Sequence, residues 1–288
     1  MKEEMDWTPL PFQITIYETH EEFQQIIQTN ENRIPSHTFL LKKAESHLPI
    51  VILLGDAGEY NPYHLFFYMI VRFRYVDDGK TTITYYYKNK RNTYICESAL
   101  RCLPPRFQRS QEVYNGIQYV ELPFLNWYPE FIEETWIYSY LKELYAPIFS
   151  SYPRVPKKYT YISRAKSASR QLKNESQLVD QLKCLGFSLY CMEDLTFEEQ
   201  IRLFHSSEVI CGIHSGAFAF LAFCDPGTKV FELFWDSQKN KHYFDISIKC
   251  KLQFLRYTSL RICNEETQEV ELLHTSDFLN QLETFCKS

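Results

Sequence analysis

The chain has 288 residues, 45% hydrophobic and 23% charged, with 31 basic against 36 acidic side chains. That is enough for one large domain or two ordinary ones around a full core, and it excludes disordered, collagen-like and disulfide-knot classes. A net charge of −5 argues against general nucleic-acid binding, and apolar runs such as PIVILLG and GAFAFLAF fall far short of the ~20 residues of a membrane helix.

In chain order, MKEEMDWTPLPF has no apolar signal core, so a cytoplasmic protein is expected. QITIYE (13–18) reads as a strand and HEEFQQIIQT (20–29) as an amphipathic helix. HLPIVILLG (47–55) is a buried strand closed by glycine, followed by a loop and an apolar helix, YHLFFYMIVRFR (63–74). Asp77–Asp78–Gly79 reads as a tight hairpin turn before the strand TTITYYYK, rather than as a metal-binding acidic pair. RCLPPRFQRS is a loop, QYVELPF a further extended segment, and PEFIEETWIYSYLKELY (129–145) a long helix. The proline-rich APIFSSYPRVPKK breaks the pattern and divides the chain into domains at 1–148 and 149–288.

The second half alternates regularly. KYTYISR (158–164) is a strand; NESQLVDQLKCLG (174–186) is a helix with Asn174 as N-cap and Gly186 as stop. FSLYCME is a strand, TFEEQIRLFHSS a helix capped by Thr196, and EVICGIHS a strand. GAFAFLAFC is helical, DPGTKVFELF a turn and strand, and SDFLNQLETFCK a closing helix. Strand–helix alternation of this kind implies a parallel sheet with crossover helices, an α/β doubly wound architecture. Nine scattered cysteines without a CxxC pair read as reduced, buried thiols and not as disulfides or a zinc site. The 22 Phe and 21 Tyr read first as core, with an aromatic groove as the alternative.

Four constellations carry candidate chemistry. From Arg154 to Lys173 there are seven basic residues (Arg154, Lys157, Lys158, Arg164, Lys166, Arg170, Lys173) and no acid. Because Arg164 ends a parallel strand, an anionic ligand such as a diphosphate is the favoured reading over a solvated face. In CGIHSGAFAF, a strand ends near His214 and the small residues Ser215, Gly216 and Ala217 open a helix. This is either a glycine turn with a core histidine or a phosphate site. Glu232 closes an apolar strand, where a carboxylate can accept from ribose hydroxyls. Asn61 and His64 stand at a loop-to-helix junction, as cap and packing residue or with His64 as a general base; Glu59 is the competing base. There is no G-x-G-x-x-G, Walker A, H-E-x-x-H or G-x-S-x-G motif.

YISRAKSASRQLKNE, LGF, LTFEEQIRLF, CGIHSGA and DPGTKVFEL, in that order over 159–234, resemble the motif series of glycosyltransferase family 61, and NPYH resembles its N-Y-x-H-W. The resemblance implies a GT-B fold, two Rossmann-like domains facing a central cleft, and metal-independent, inverting transfer from a nucleotide sugar, UDP-linked by preference. It places Arg164, Arg170, Asn174, Glu175, His214 and Glu232 on the donor side, with Ser215, Gly216 and Ala217 beside them. Asn61 and His64 fall on the acceptor side. Where the family pattern carries an aspartate this chain has Tyr68, and where it carries an asparagine this chain has Phe220. The expected activity is therefore glycosyl transfer to a hydroxyl of a glycan or protein, with no cofactor or metal. The alternatives are an inactive sugar-binding or scaffold protein, and a phosphorylase or epimerase on the same fold.

Overall fold

A computed structural model describes residues 16–17, 37–42, 50–54, 61–88, 94–111, 118–121, 136–152, 155, 158–235 and 241–288. The helix expected at 20–29, Glu59, Arg154 and Lys157 lie outside the described residues. The chain divides into two compact units. Unit 1 comprises Met1–Glu59, Phe67–Asn92 and Pro105–Trp127; unit 2 comprises Tyr60–Phe66, Thr93–Pro104 and Tyr128–Ser288.

Unit 1 holds a six-stranded sheet. Its strands are β1 (Ile16–Tyr17), β2 (His37–Lys42), β3 (Ile50–Leu54), β4 (Ile83–Lys88), β5 (Phe107–Ser110) and β6 (Gln118–Glu121), in the order β1-β6-β2-β3-β4-β5. Only β3, β4 and β5 run parallel; the other ladders are antiparallel. The sheet is mixed, unlike the parallel sheet that a Rossmann-like first half calls for. Alternation builds β4, with Ile83, Tyr85 and Tyr87 buried, and the Phe73 ring packs on Tyr85 and Phe107 at 5.5 and 4.9 Å. β5 lies in the segment read as a loop. The turn at Asp77–Asp78–Gly79 joins a 3₁₀ helix (Ile70–Tyr75) to β4 and does not close a hairpin, since both neighbours of β4 are parallel to it. Asp77 instead takes both Nε and Nη2 of Arg106 at 2.9 and 2.8 Å, and Asp78 accepts from Lys80 and Thr81.

The apolar run read as one helix over 63–74 breaks into three helical pieces: Pro62–His64, a π-helical turn at Leu65–Met69, and the 3₁₀ helix. Asn61 starts it, its Oδ1 accepting from Tyr63 N at 3.0 Å with Pro62 next in line.

Unit 2 contains α1 (Tyr94–Arg101), α2 (Trp136–Phe149), β7 (Tyr159–Ser163), α3 (Glu175–Cys184), β8 (Phe187–Cys191), α4 (Phe197–Ser206) and β9 (Val209–Ile213). A 3₁₀ helix at Gly216–Phe223, β10 (Lys229–Leu233), α5 (His242–Lys249), β11 (Gln253–Tyr257), the antiparallel pair β12 (Leu260–Asn264) and β13 (Glu269–Leu272), and α6 (Thr275–Lys287) follow. The five-stranded sheet is wholly parallel, in the order β11-β10-β9-β7-β8. Every residue of β9 and β10 is buried, so both faces of the sheet are covered, as parallel sheets require. Tyr161, Cys211, Phe231 and Leu233 face Leu178 and Leu182 of α3 and Phe278 and Leu282 of α6. A second cluster joins Phe66, Tyr145, Phe197, Phe220 and Phe223, with the Phe66 and Phe220 rings 5.1 Å apart. Phe220, at the family's asparagine position, is thus a core residue. Thr196 caps α4 through a reciprocal pair with Glu199. Five cysteines are buried (Cys96, Cys211, Cys224, Cys250, Cys286), two are exposed, and no disulfide occurs among the described residues. No described helix is long and apolar enough to cross a membrane.

Candidate functional site

The chain order along the unit 2 sheet reverses between β7 and β9: β8 lies beyond β7 on one side, β10 and β11 beyond β9 on the other. Ligands of doubly wound sheets bind at the carboxyl ends of the strands flanking such a point. Here those ends are Ser163–Arg164 and His214–Ser215, with Phe234–Trp235 at the end of β10.

Arg164 folds the following loop around its own guanidinium. Its Nε donates to the carbonyls of Ser169 and Arg170 at 3.1 and 3.2 Å, and its Nη2 to Ser167 Oγ and Ser169 O at 2.5 and 2.7 Å. Burial, then the charge of Arg170, lowers its proton affinity, but a guanidinium remains a cation. Arg170 sits at φ 56, a conformation costly for a residue with a Cβ, held by its N–H donating to Thr267 O at 2.8 Å. Its Nε donates to Gln268 Oε1 at 3.0 Å and its guanidinium lies 5.7 Å from the Trp235 ring centre. Among the described residues, neither of its terminal nitrogens has a partner. The other basic residues of the run differ: Lys166 pairs with Asp194 on an exposed surface, and Lys158 donates to Ser206.

The side chains of Asn174 and Glu175 both have partners within unit 2. Asn174 occupies the first position before α3, yet its side chain does not cap the helix. Its Nδ2 donates to Leu272 O and its Oδ1 accepts from Leu272 N, both at 3.1 Å, tying α3 to β13. Glu175 is buried and accepts from Tyr161 Oη at 3.0 Å and Ser163 Oγ at 2.7 Å, so it braces the end of β7 from behind.

His214 and Glu232 form the electrostatic centre. Glu232 is 0% exposed; its Oε1 lies 2.6 Å from His214 Nδ1 and its Oε2 accepts from Arg256 Nε at 2.6 Å. Each oxygen thus has a side-chain partner, and Glu232 bridges His214 and Arg256. The His214 ring, 4% exposed, stacks on Phe234 at 4.2 Å and meets Tyr243 at 4.7 Å. Burial lowers its proton affinity more than Glu232 raises it. The buried Ser215 hydroxyl, 1% exposed, has no hydrogen-bond partner among the described residues. Gly212 is obligatory by contact, because a Cβ there would meet Ile162 O at 2.9 Å. Gly216 presses on the Asn61 side chain, where a Cβ would meet Oδ1 at 2.6 Å. Ala217 follows at the partly exposed start of the 3₁₀ helix.

Asn61 and His64, expected across a cleft from the donor residues, belong to the same compact unit as His214 and Glu232. His64 is half-buried beside Tyr63, whose ring lies on His242 at 4.8 Å with its Oη 3.3 Å from His242 Nδ1. Burial, followed by the nearby His214 and His64, lowers the proton affinity of His242. Tyr68, at the family's aspartate position, falls in the π-helical turn. Arg256, His242, Tyr243 and Phe234 are site residues that sequence reasoning missed. Only the register of β10 with β11, which sets Glu232 opposite Arg256, discloses the first of them.

The sequence pattern described as Glycosyltransferase 61 matches residues 63–231, more than half of the chain. The chain belongs to the glycosyltransferase 61 family. A curated relative, the EGF domain-specific O-linked N-acetylglucosamine transferase of Gallus gallus, is 28% identical over 101 residues. That stretch covers 33% of this chain and 18% of the relative, so the chain corresponds to a small part of that protein's length. The family match begins at the Asn61–His64 segment and ends within β10, and so spans the ends of β7 and β9 but not that of β10.

Proposed function

We propose that this family 61 chain binds a nucleotide sugar at the carboxyl edge of the unit 2 sheet. It transfers the sugar, with inversion and without a metal ion, to a hydroxyl of a glycan or protein. The observation that carries the reading is the presence, beside the carboxyl ends of the adjacent strands β7 and β9, of two groups with donors left over among the described residues. These are the Arg170 guanidinium, held in a strained backbone, and the buried Ser215 hydroxyl at the start of a 3₁₀ helix. An anionic diphosphate satisfies both, the guanidinium by charge-assisted hydrogen bonds and the hydroxyl by donation. Arg164 serves the same end by shaping the loop that carries Arg170.

In a single displacement, the acceptor oxygen forms a bond to the anomeric carbon while the bond from that carbon to the diphosphate oxygen breaks. The electron pair leaves with the diphosphate, and the acceptor proton passes to a base. Two imidazoles in this unit suit that task. His64 is the choice from sequence; His214 is the one whose ring is held by a carboxylate and a stacked aromatic, and we assign the proton to it. Positive charge from Arg164 and Arg170 stabilises the departing diphosphate in place of a cation. UDP-N-acetylglucosamine is the first donor to test, by the named activity of the chicken relative. A second reading, sugar binding without transfer, draws on the core packing of Phe220 where the family has asparagine.

The test is a panel of UDP-, GDP-, CMP- and dTDP-sugars with glycan acceptors, assayed for nucleotide release with and without EDTA. Transfer that survives EDTA and weakens in Arg170→Ala is the expected result. Dependence on Mn²⁺ or Mg²⁺ overturns the metal-free mechanism, and nucleotide binding without turnover supports the second reading.

A further inference from the structure

The arrangement behind His214 leads further than the assignment of a base. Strand register sets Glu232 on β10 between Gly212 on β9 and Arg256 on β11. Side chains alternate along a strand, and His214 continues the ladder through its N–H donating to Leu233 O at 2.9 Å. His214 therefore projects on the same face as Gly212, the residue opposite Glu232 in the ladder. Arg256 donates to the far carboxylate oxygen and lies over the rings of Phe234, at 4.7 Å, and Phe254, at 5.7 Å. Phe234 is also the ring on which His214 stacks.

We infer that Arg256 is a positioning residue: acting through Glu232, it fixes His214 as the Nδ1–H tautomer and leaves Nε2 as the proton acceptor. A carboxylate that takes an arginine N–H on one oxygen is ionised and can only accept on the other, so the imidazole proton must sit on Nδ1. Among the described residues, Nε2 has no hydrogen-bond partner. Arg256 also balances charge. A wholly buried carboxylate facing an imidazole alone draws a second proton onto the ring, and the resulting imidazolium has no lone pair to accept with. Among the described residues, the other groups around His214 are Arg170 from the loop after β7, which also opposes protonation, and His242 and Tyr243 from α5; His64 in turn acts on His242. Glu232 is the only acid among them, and Arg256 is the cation bonded to it. The inference rests on reading this edge of the sheet as the transfer site.

The experiment uses the full chain labelled with ¹⁵N, as wild type, Arg256→Gln and Arg256→Lys. The His214 tautomer and titration are read from long-range ¹H–¹⁵N spectra, with His214→Asn for assignment, and each variant is assayed for kcat against pH. The wild type is expected to show Nδ1–H and to titrate below the ordinary imidazole value of about 6.5. Arg256→Gln is expected to move the His214 titration up by about 1 pH unit or more. The acid limb of kcat should move with it, donor KM should stay, and Arg256→Lys should keep the wild-type His214 titration. An Nε2–H tautomer in the wild type, or an unmoved His214 in folded Arg256→Gln, overturns the inference. If Arg256→Gln does not fold, Glu232→Gln carries the test, with loss of the fixed tautomer expected and its retention overturning the inference. The spectra need no turnover, so the two readings fail separately. A fixed tautomer with no transfer on any donor overturns the transferase reading, whereas transfer with an unmoved His214 overturns the role of Arg256 alone.

Discussion

At the scale of single residues, the site is a set of side chains whose partners define their roles. His214 has a carboxylate on one nitrogen and a ring beneath it, and a base in that setting is held in place before its substrate arrives. His214→Ala is expected to lower kcat by ~10²- to 10⁴-fold with little change in donor KM. His64→Ala should cost less. If the two losses are reversed in steady-state assays, the base is His64 and the sequence assignment stands. Gly216→Ala tests the seat of the Asn61 segment. The added methyl meets Asn61 Oδ1, which already accepts from Tyr63 N, and the Pro62 ring at 3.1 Å, so one of the two must shift. Overpacking of this kind costs ~1–3 kcal/mol, and a denaturation midpoint unchanged from wild type would show that the turn yields freely. His214 and Glu232 were both visible in the sequence, but their pairing was not. They are 18 positions apart, and only the register of neighbouring strands brings the side chains together.

At the scale of elements, what could be read was what local chemistry decides. The Thr196 cap, the Gly186 stop and the β-branched and aromatic strand β4 are written in contiguous residues, and each lies where it was expected. The stretch from Trp235 to His274 gave no reading, yet it supplies α5, β11 and the β12–β13 pair. Its strands are short and half-exposed, with mixed polarity that matches neither period, and their order comes from neighbours distant in sequence. The run at 63–74 is apolar on every side, so its pattern promised a helix but not which kind of turn. Asn174 shows the same limit: its type and place suit a cap, but tertiary contact claims its amide. Asn174→Ala removes two hydrogen bonds to Leu272 and is expected to cost about 2 kcal/mol, at the net worth of such bonds. Urea unfolding measures the loss. Nucleotide affinity should be unchanged, and a parallel fall in affinity would return Asn174 to the donor site.

At the scale of the whole molecule, the second half follows from its strand–helix alternation, whereas the mixed sheet of unit 1 does not, because β6 pairs antiparallel with β1 and β2, strands remote in sequence. The grouping of Asn61 and His64 with unit 2 also concentrates imidazoles, and this has a consequence for stability. His214 is buried and His242 partly buried, and desolvation is the largest cause lowering the proton affinity of each below the ordinary value of about 6.5. In the window just below that value the unfolded chain binds more protons than the folded one, so stability rises with pH there and is lost as pH falls. Other shifted acids act elsewhere. Asp78, held down to about 2 by Thr81 and Lys80, is fully exposed, and its effect belongs to a window below the ordinary carboxylate value. Asp245, raised by burial, favours the folded state on acidification, the opposite sign, beginning near that same carboxylate range. Between about pH 7.5 and pH 5.5 the two histidines therefore dominate the expected trend, a fall in Tm on acidification. Replacing both by asparagine, which cannot take a proton, should flatten the trend over that interval while leaving the loss at lower pH in place. A double variant that keeps the wild-type slope in calorimetry would mean that the burden of acid destabilisation lies on other groups.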